Sequence, residues 1–182
     1  MNTTGPILEV KAAGRDELWQ VRELAIRIFP PTYKDIVEQE QIDYMMDIFY
    51  TPENLVKQFE GGQNFLILYH DGEAAGYASY TRLNATGDYK LNKIYMDRNL
   101  QGIGLGRKLL KDVITRLKAS GGKTLQLNVN RHNKAVGFYR NMGFIVRKEE
   151  LLDIGHGYFM DDYVMELNIS PDPLISPSGK AE

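Results

Sequence analysis

The chain has no cysteine among its 182 residues. That absence excludes a disulfide framework, a zinc–thiolate centre and a thiol nucleophile, so any group-transfer chemistry must run on other side chains. An excess of either charge is missing too. The 22 Lys and Arg against 24 Asp and Glu leave a net charge of −2, which provides no basic field for a nucleic acid. No apolar run approaches the length of a membrane span, and the opening MNTTGPILEVKAAGRDE lacks the basic-then-apolar order of a signal peptide. We therefore expect a cytoplasmic protein with neither a nucleic-acid nor a membrane partner. What is present is ordinary globular material, 43 % hydrophobic and 25 % charged, in a length that suits one domain. The expected organisation is a flexible N-terminus over residues 1–6, a folded domain over 7–169, and a flexible tail over 170–182, where the sequence becomes rich in Ser, Pro and Gly.

Periodicity orders the elements. A short strand over Ile7 to Lys11 precedes a helix capped by Asp16, with Leu18, Val21, Leu24, Ala25 and Ile28 on one face. Pro30 and Pro31 should end it. Asp35 to Tyr50 is helical in pattern, and Thr51-Pro52-Glu53 opens another helix with a hydroxyl cap and proline in the first turn. Phe65 to Tyr69 and Ala74 to Leu83, joined at Asp71-Gly72, form a hairpin signal, and Tyr89 to Met96 is the next strand. A glycine-rich turn then feeds a long helix whose buried side carries Leu105, Leu109, Leu110, Val113, Ile114 and Leu117. Thr124 to Asn130 alternates as a half-buried strand does, and a helix from about Asn133 stops at Gly143 before strands at Ile145 to Leu152 and Tyr158 to Leu167. The order predicts an α+β domain with a mixed, largely antiparallel sheet flanked by helices.

The most informative segment runs from the strand end Ile94-Tyr95-Met96 through Gln101-Gly102-Ile103-Gly104-Leu105-Gly106-Arg107 into the helix. Glycines let the backbone approach a ligand closely, and the free amides of a helix N-terminus, carrying roughly +0.5 charge, attract an anion such as a pyrophosphate. A nucleotide or CoA is the implied ligand. A Walker loop is excluded because Lys108 is followed by Leu109, and a dinucleotide fingerprint is excluded because Arg107 stands where its third glycine belongs.

Gln101-Gly102-Ile103-Gly104-Leu105-Gly106 resembles the Q/R-x-x-G-x-G/A acetyl-CoA motif of the GNAT superfamily of N-acetyltransferases. Ile94-Tyr95-Met96 resembles that family's bulged strand, and Ala135 to Phe144 resembles its second conserved segment. Element order agrees over about Ile7 to Ile169, and the layout is most similar to bacterial polyamine-type (spermidine/spermine) acetyltransferases. The resemblance implies a pair of splayed strands that admit the pantetheine arm of acetyl-CoA. It implies that main-chain groups of Ile94, Tyr95 and Met96 face the acetyl and pantetheine, that Gln101, Gly102, Ile103, Gly104, Leu105, Gly106 and Arg107 hold the pyrophosphate, and that Asn133 contacts the cofactor. Met96 N–H is the implied oxyanion donor, and Tyr139 the implied general acid beside the sulfur.

Two departures from the family pattern matter. Asn133 is one residue closer to Ala135 than the family's asparagine, with His132 in the expected place, and Asn92-Lys93 replace the glutamate that many relatives carry as base. A water relay ordered by Tyr95, Asn92 or a tyrosine of the first third is the remaining route to the base. For the acceptor we expect a small, cationic, polyamine-like primary amine. Asp35, Glu38, Glu40, Asp43, Asp47, Glu53 and Glu60 face only Lys57 between residues 35 and 60, and Phe29, Tyr33 and Tyr44 are candidates to line its methylene path. Direct attack in a ternary complex follows from the missing thiol. The alternatives are a CoA-binding regulatory module without chemistry and a protein or peptide N-terminal acetyltransferase. Tyr158, Phe159 and Tyr163 offer either a homodimer contact or the core of the final hairpin.

Overall fold

The computed structural model describes residues 5–100 and 102–171; the expected tail beyond residue 171, most of the expected N-terminus and Gln101 lie outside them. Seven strands form one sheet in the order β1-β2-β3-β4-β5-β7-β6, comprising β1 (Leu8–Ala13), β2 (Asn64–His70), β3 (Glu73–Arg82), β4 (Asp88–Met96), β5 (Thr124–Asn130), β6 (Ile145–Gly155) and β7 (Tyr158–Asn168). All neighbours are antiparallel except β4 and β5. Helices α1 (Leu18–Tyr33), α2 (Gln39–Tyr50) and α3 (Pro52–Glu60) cover one face, while α4 (Leu105–Ala119) and α5 (Ala135–Asn141) cover the other.

Alternation decides which face each side chain serves. Leu66 and Leu68 of β2, and Leu125, Leu127 and Val129 of β5, pack with Leu109, Leu110 and Val113 of α4. Phe65, Ile67 and Tyr77 turn the other way, onto Val21, Ile28 and Phe29 of α1. Each fully buried aliphatic side chain stabilises by about 1.5–3 kcal/mol through surface removed from water. The β2–β3 hairpin turns on Asp71 and Gly72, both with positive φ (50° and 85°), which a two-residue turn between twisted strands requires.

Several boundaries differ from the sequence reading. β1 begins one residue later and runs to Ala13. Asp16 does not cap α1; a 3-10 turn at Arg15–Glu17 precedes it, and the Glu17 carboxylate accepts from Gly14 N–H at 2.8 Å. Pro30 and Pro31 lie inside α1 rather than ending it. Their missing N–H groups would have bonded the carbonyls of Ile26 and Arg27 on the exposed side, where water can replace them, while burial of Phe29 and Tyr33 holds the last turn down. Residues 35–38 are a turn, not helix, because Glu38 is extended and α2 starts only at Gln39. The Thr51 cap is present, its hydroxyl accepting from Asn54 N–H at 3.3 Å. Both final strands are longer than expected and meet across a tight turn at His156 and Gly157.

Candidate active site

β4 and β5 are paired only over Asp88↔Thr124 to Leu91↔Leu127. Beyond that point both continue, to Met96 and Asn130, without pairing to each other. The separation begins at a bulge: Ser79 opposes Lys93 while Tyr80 opposes Leu91, so Asn92 is the extra residue and β4 bends away. Past the bulge, Asp97 N–H bonds Ala75 carbonyl at 2.8 Å. Because an antiparallel ladder alternates, the N–H and C=O of Tyr95 turn to β3, whereas those of Ile94 and Met96 turn to the open side. That corrects one expectation, since Tyr95 offers its side chain to the gap but its main chain to Tyr77.

A cavity of about 750 Å³ occupies the gap. Ile94, Tyr95, Met96, Gly102, Gly104, Leu105, Gly106, Arg107, Asn133 and Tyr139 line it, as does Tyr33. Ile103 does not; it is 57 % exposed. Phe29 is a buried core residue stacked on Tyr33 at 4.5 Å, one layer behind the cavity wall. Tyr44 is further away, since its hydroxyl donates to Ile154 carbonyl at 2.6 Å and its ring packs on His156 and Tyr158, fastening α2 to the final hairpin. Neither reaches the cavity, which corrects two of the three acceptor-lining expectations. Of the acidic run in the first third, only Asp35 lines the cavity.

At the wide end, Gly102 and Gly104 take φ of 87° and 83°, a left-handed conformation that costs glycine nothing. The first intrahelical bond of α4 runs from Lys108 N–H to Gly104 carbonyl at 3.0 Å, leaving the Leu105, Gly106 and Arg107 amides without an intrahelical partner. A positive helix end beside a groove fits a pyrophosphate. Arg98 fixes this loop to the end of α1 by donating to Pro31 carbonyl at 2.8 Å, and Arg27 pairs with Asp97 at 3.1 Å. Asn133 accepts from Ala135 N–H at 2.9 Å, so its side chain caps α5 while also lining the cavity.

The narrow end is rich in phenols. Tyr33 and Tyr95 hydroxyls stand 3.0 Å apart. Burial pushes Tyr33 up to about 12 and raises Tyr95 and Tyr139 as well, so all three stay protonated at neutral pH. Tyr139 packs against Phe138 and Phe144 yet still borders the cavity; the core and site readings of this residue are compatible. Lys93 leaves the sheet on the α1–α3 side, 8 % exposed, donating to Gln58 Oε1 at 2.6 Å among the rings of Phe49, Tyr50 and Phe65. Burial lowers it to about 8. Sequence reading missed Asn128 as a lining residue and Asp162 as a buried one. The alternation of β7, which sets Asp162 in phase with Val164, was the available signal for the latter.

The profile of the acetyltransferase (GNAT) domain matches residues 33–159. A probable spermine N(1)-acetyltransferase of Bacillus subtilis subsp. natto is 32 % identical over 85 residues, which are 42 % of this chain and 56 % of that protein. An L-methionine sulfoximine/L-methionine sulfone acetyltransferase of Pseudomonas paraeruginosa is 30 % identical over 112 residues, 55 % of this chain and 61 % of that one. Both alignments thus span less than two thirds of the relative. The PaiA N-acetyltransferase of Thermoplasma acidophilum, solved in complex with coenzyme A, has the same fold, with a TM-score of 0.74 at 21 % identity over 89 % of this chain and 99 % of that one.

Proposed function

Because the chain belongs to the GNAT acetyltransferase family, we propose that it transfers the acetyl group of acetyl-CoA to the primary amine of a small acceptor. The observation that carries this reading is the parting of β4 from β5 at Leu91 and Leu127, beside a helix N-terminus whose first amides have no partner among the described residues. Acetyl-CoA supplies an activated acetyl group as a thioester. The chain supplies the rest. Amides of Leu105, Gly106 and Arg107 meet the pyrophosphate, and the unpaired main-chain groups of Ile94 and Met96 meet the pantetheine arm in place of the absent β5 partner. Met96 N–H is the donor aimed at developing negative charge on the acetyl oxygen. Tyr139, held protonated by burial, delivers a proton to the departing sulfur.

A cationic, polyamine-like acceptor is the reading we favour. Likeness to the spermine acetyltransferase supports it, and so do Asp35 and the hydroxyls of Tyr33 and Tyr95 at the acceptor end. Likeness to the methionine sulfoximine enzyme favours a second reading, an amino-acid-like amine. With no cysteine to carry an acyl group, transfer is direct and both substrates bind before either product leaves. Free-thiol release from acetyl-CoA over spermidine, methionine sulfoximine, aminoglycosides and peptides tests this. Spermidine should be the best substrate, with intersecting double-reciprocal lines, and Tyr139→Phe should lower kcat by about 100-fold or more. Parallel lines would overturn direct transfer, faster turnover of a neutral amine would overturn the acceptor class, and unchanged kcat would remove Tyr139 from its role.

A further inference from the structure

Asp162 lies in the middle of β7, opposite Asn130 of β5 and Glu150 of β6. It is fully buried, and neither carboxylate oxygen has a hydrogen-bond partner among the described residues. A buried carboxylate without a hydrogen-bond partner is one of the costliest groups a fold can keep. Asn128, its neighbour on the same face, gives its amide to Glu150 at 2.9 Å instead. The surroundings explain the carboxylate if a ligand is meant to complete them. Asn128 and Tyr33 both line the cavity, and Asp162 lies one layer behind its wall, diagonal to Asn128 across the β5–β7 ladder. Met160, two residues earlier on the same strand face, packs into the α1–α3 core, so Asp162 points to that side of the sheet, the side to which the Tyr95 ring also turns.

We propose that Asp162 receives the protonated amine of the acceptor, its two free oxygens accepting N–H bonds from the ammonium behind the wall formed by Tyr33 and Asn128, and then takes one proton from that nitrogen. The step balances: an ammonium and a carboxylate become a neutral amine and a carboxylic acid, and the acid returns its proton to solvent once the acceptor has left. The nitrogen lone pair so freed is what amine acetylation needs, and this assigns the base that the sequence lacks at Asn92-Lys93. The inference rests on the acetyltransferase reading and deepens it by naming a cationic primary amine as the group recognised. Burial, with Glu150 and Asp161 nearby, pushes Asp162 up to about 6 against the opposing effects of Asn128 and Lys90, so the carboxylate is ionised at neutral pH yet a better proton acceptor than a solvated one.

The test compares wild type with Asp162→Asn and Asp162→Glu, using spermidine as probe. CoA binding, spermidine binding to the CoA-loaded protein, the pH profile of kcat/KM and the melting temperature at pH 8 are measured on each. Asp162→Asn should bind CoA as wild type does, lose spermidine affinity on the order of 100-fold, and melt higher, because a buried unpaired charge is gone. Asp162→Glu should recover part of the binding, and the rise in wild-type kcat/KM near pH 6 should vanish in the amide variant. Spermidine affinity that survives in Asp162→Asn overturns the proposal, as does a variant that melts lower and loses CoA and amine together, since that marks a purely structural carboxylate. A wild type that binds spermidine through Asp162 but releases no thiol with any amine would instead overturn the acetyl-transfer reading and leave the amine site standing.

Discussion

At the scale of single residues, two charged groups among the described residues, Asp162 and Lys93, sit where solvation cannot support them, and they lie on the same side of the sheet. Among the described residues Asp162 has no hydrogen-bond partner, whereas Lys93 has Gln58 and three ring faces but no carboxylate. Amide oxygens and ring quadrupoles recover only part of the hydration an ammonium loses, which is why burial lowers Lys93 from 10.5 to about 8. In the unfolded chain the same lysine holds its proton until much higher pH. Between roughly pH 8 and 10.5 the unfolded state therefore binds more protons than the folded one, and stability rises with pH across that window. Below pH 8 the full cost of the buried charge, about 3 kcal/mol, is present. Lys93→Met should remove that cost, melting higher than wild type at pH 7 with the difference shrinking toward pH 10. Urea unfolding at a series of pH values reads this directly, and a pH-independent difference between the two proteins would show that Lys93 is not charged and buried as described.

At the scale of elements, the parts legible in the sequence are those where one local rule dominates. The α4 stripe of Leu105, Leu109, Leu110, Val113 and Leu117, the alternation of β5 and the Thr51 cap all hold in the structure. Illegible parts are those where tertiary burial overrules a local rule, as with Pro30 and Pro31 inside α1, held there by Phe29 and Tyr33. Tyr44 and Phe29 misled for a related reason: aromatic character marks burial, and only three-dimensional placement separates the cavity wall from the layer behind it. The glycine loop combines both cases. Its spacing suggests an anion site, but the position of Gly106 needs the structure to interpret. A Cβ there would stand 3.7 Å from Met96 and 3.9 Å from Phe138, ordinary contact distances, and the residue lines the cavity. Alanine is about 1 kcal/mol better than glycine in a helix, so folding alone would favour Gly106→Ala. We expect that variant to melt at or above the wild-type temperature yet bind CoA more weakly, since its methyl fills the groove where β4, α4 and α5 meet. Calorimetry with CoA separates the two effects, and undiminished affinity would mean that the cofactor passes elsewhere.

At the scale of the whole molecule, the sheet is two blocks held by a short seam. β1 to β4 form one antiparallel block, β5 to β7 another, and among the described residues the ladder between them is the four-residue parallel pairing that stops at Leu91 and Leu127. That β7 inserts between β5 and β6 was invisible in the sequence, because hairpin signals state which strands are neighbours and not which of them faces outward. This insertion brings Asp162 to the inner strand, next to β5 and opposite Asn130. The open length of the seam leaves main-chain groups of Ile94 and Met96 unpaired, so a ligand that spans the gap and bonds both walls performs the work of the missing ladder. Binding of this kind favours the folded state by about 2.7 kcal/mol when ligand is a hundredfold above its dissociation constant, which for a chain of this size is a rise of roughly 5–10 °C in melting temperature. CoA should produce that rise, and hydrogen exchange should slow at Ile94, Met96 and the first turn of α4 while the α1–α3 core, already closed, changes little. ADP, which carries the pyrophosphate but no pantetheine, should protect the α4 turn alone. Equal protection of Ile94 and Met96 by ADP and CoA would mean that the gap closes without the arm, and the parted strands would then be a flexible seam instead of a preformed slot.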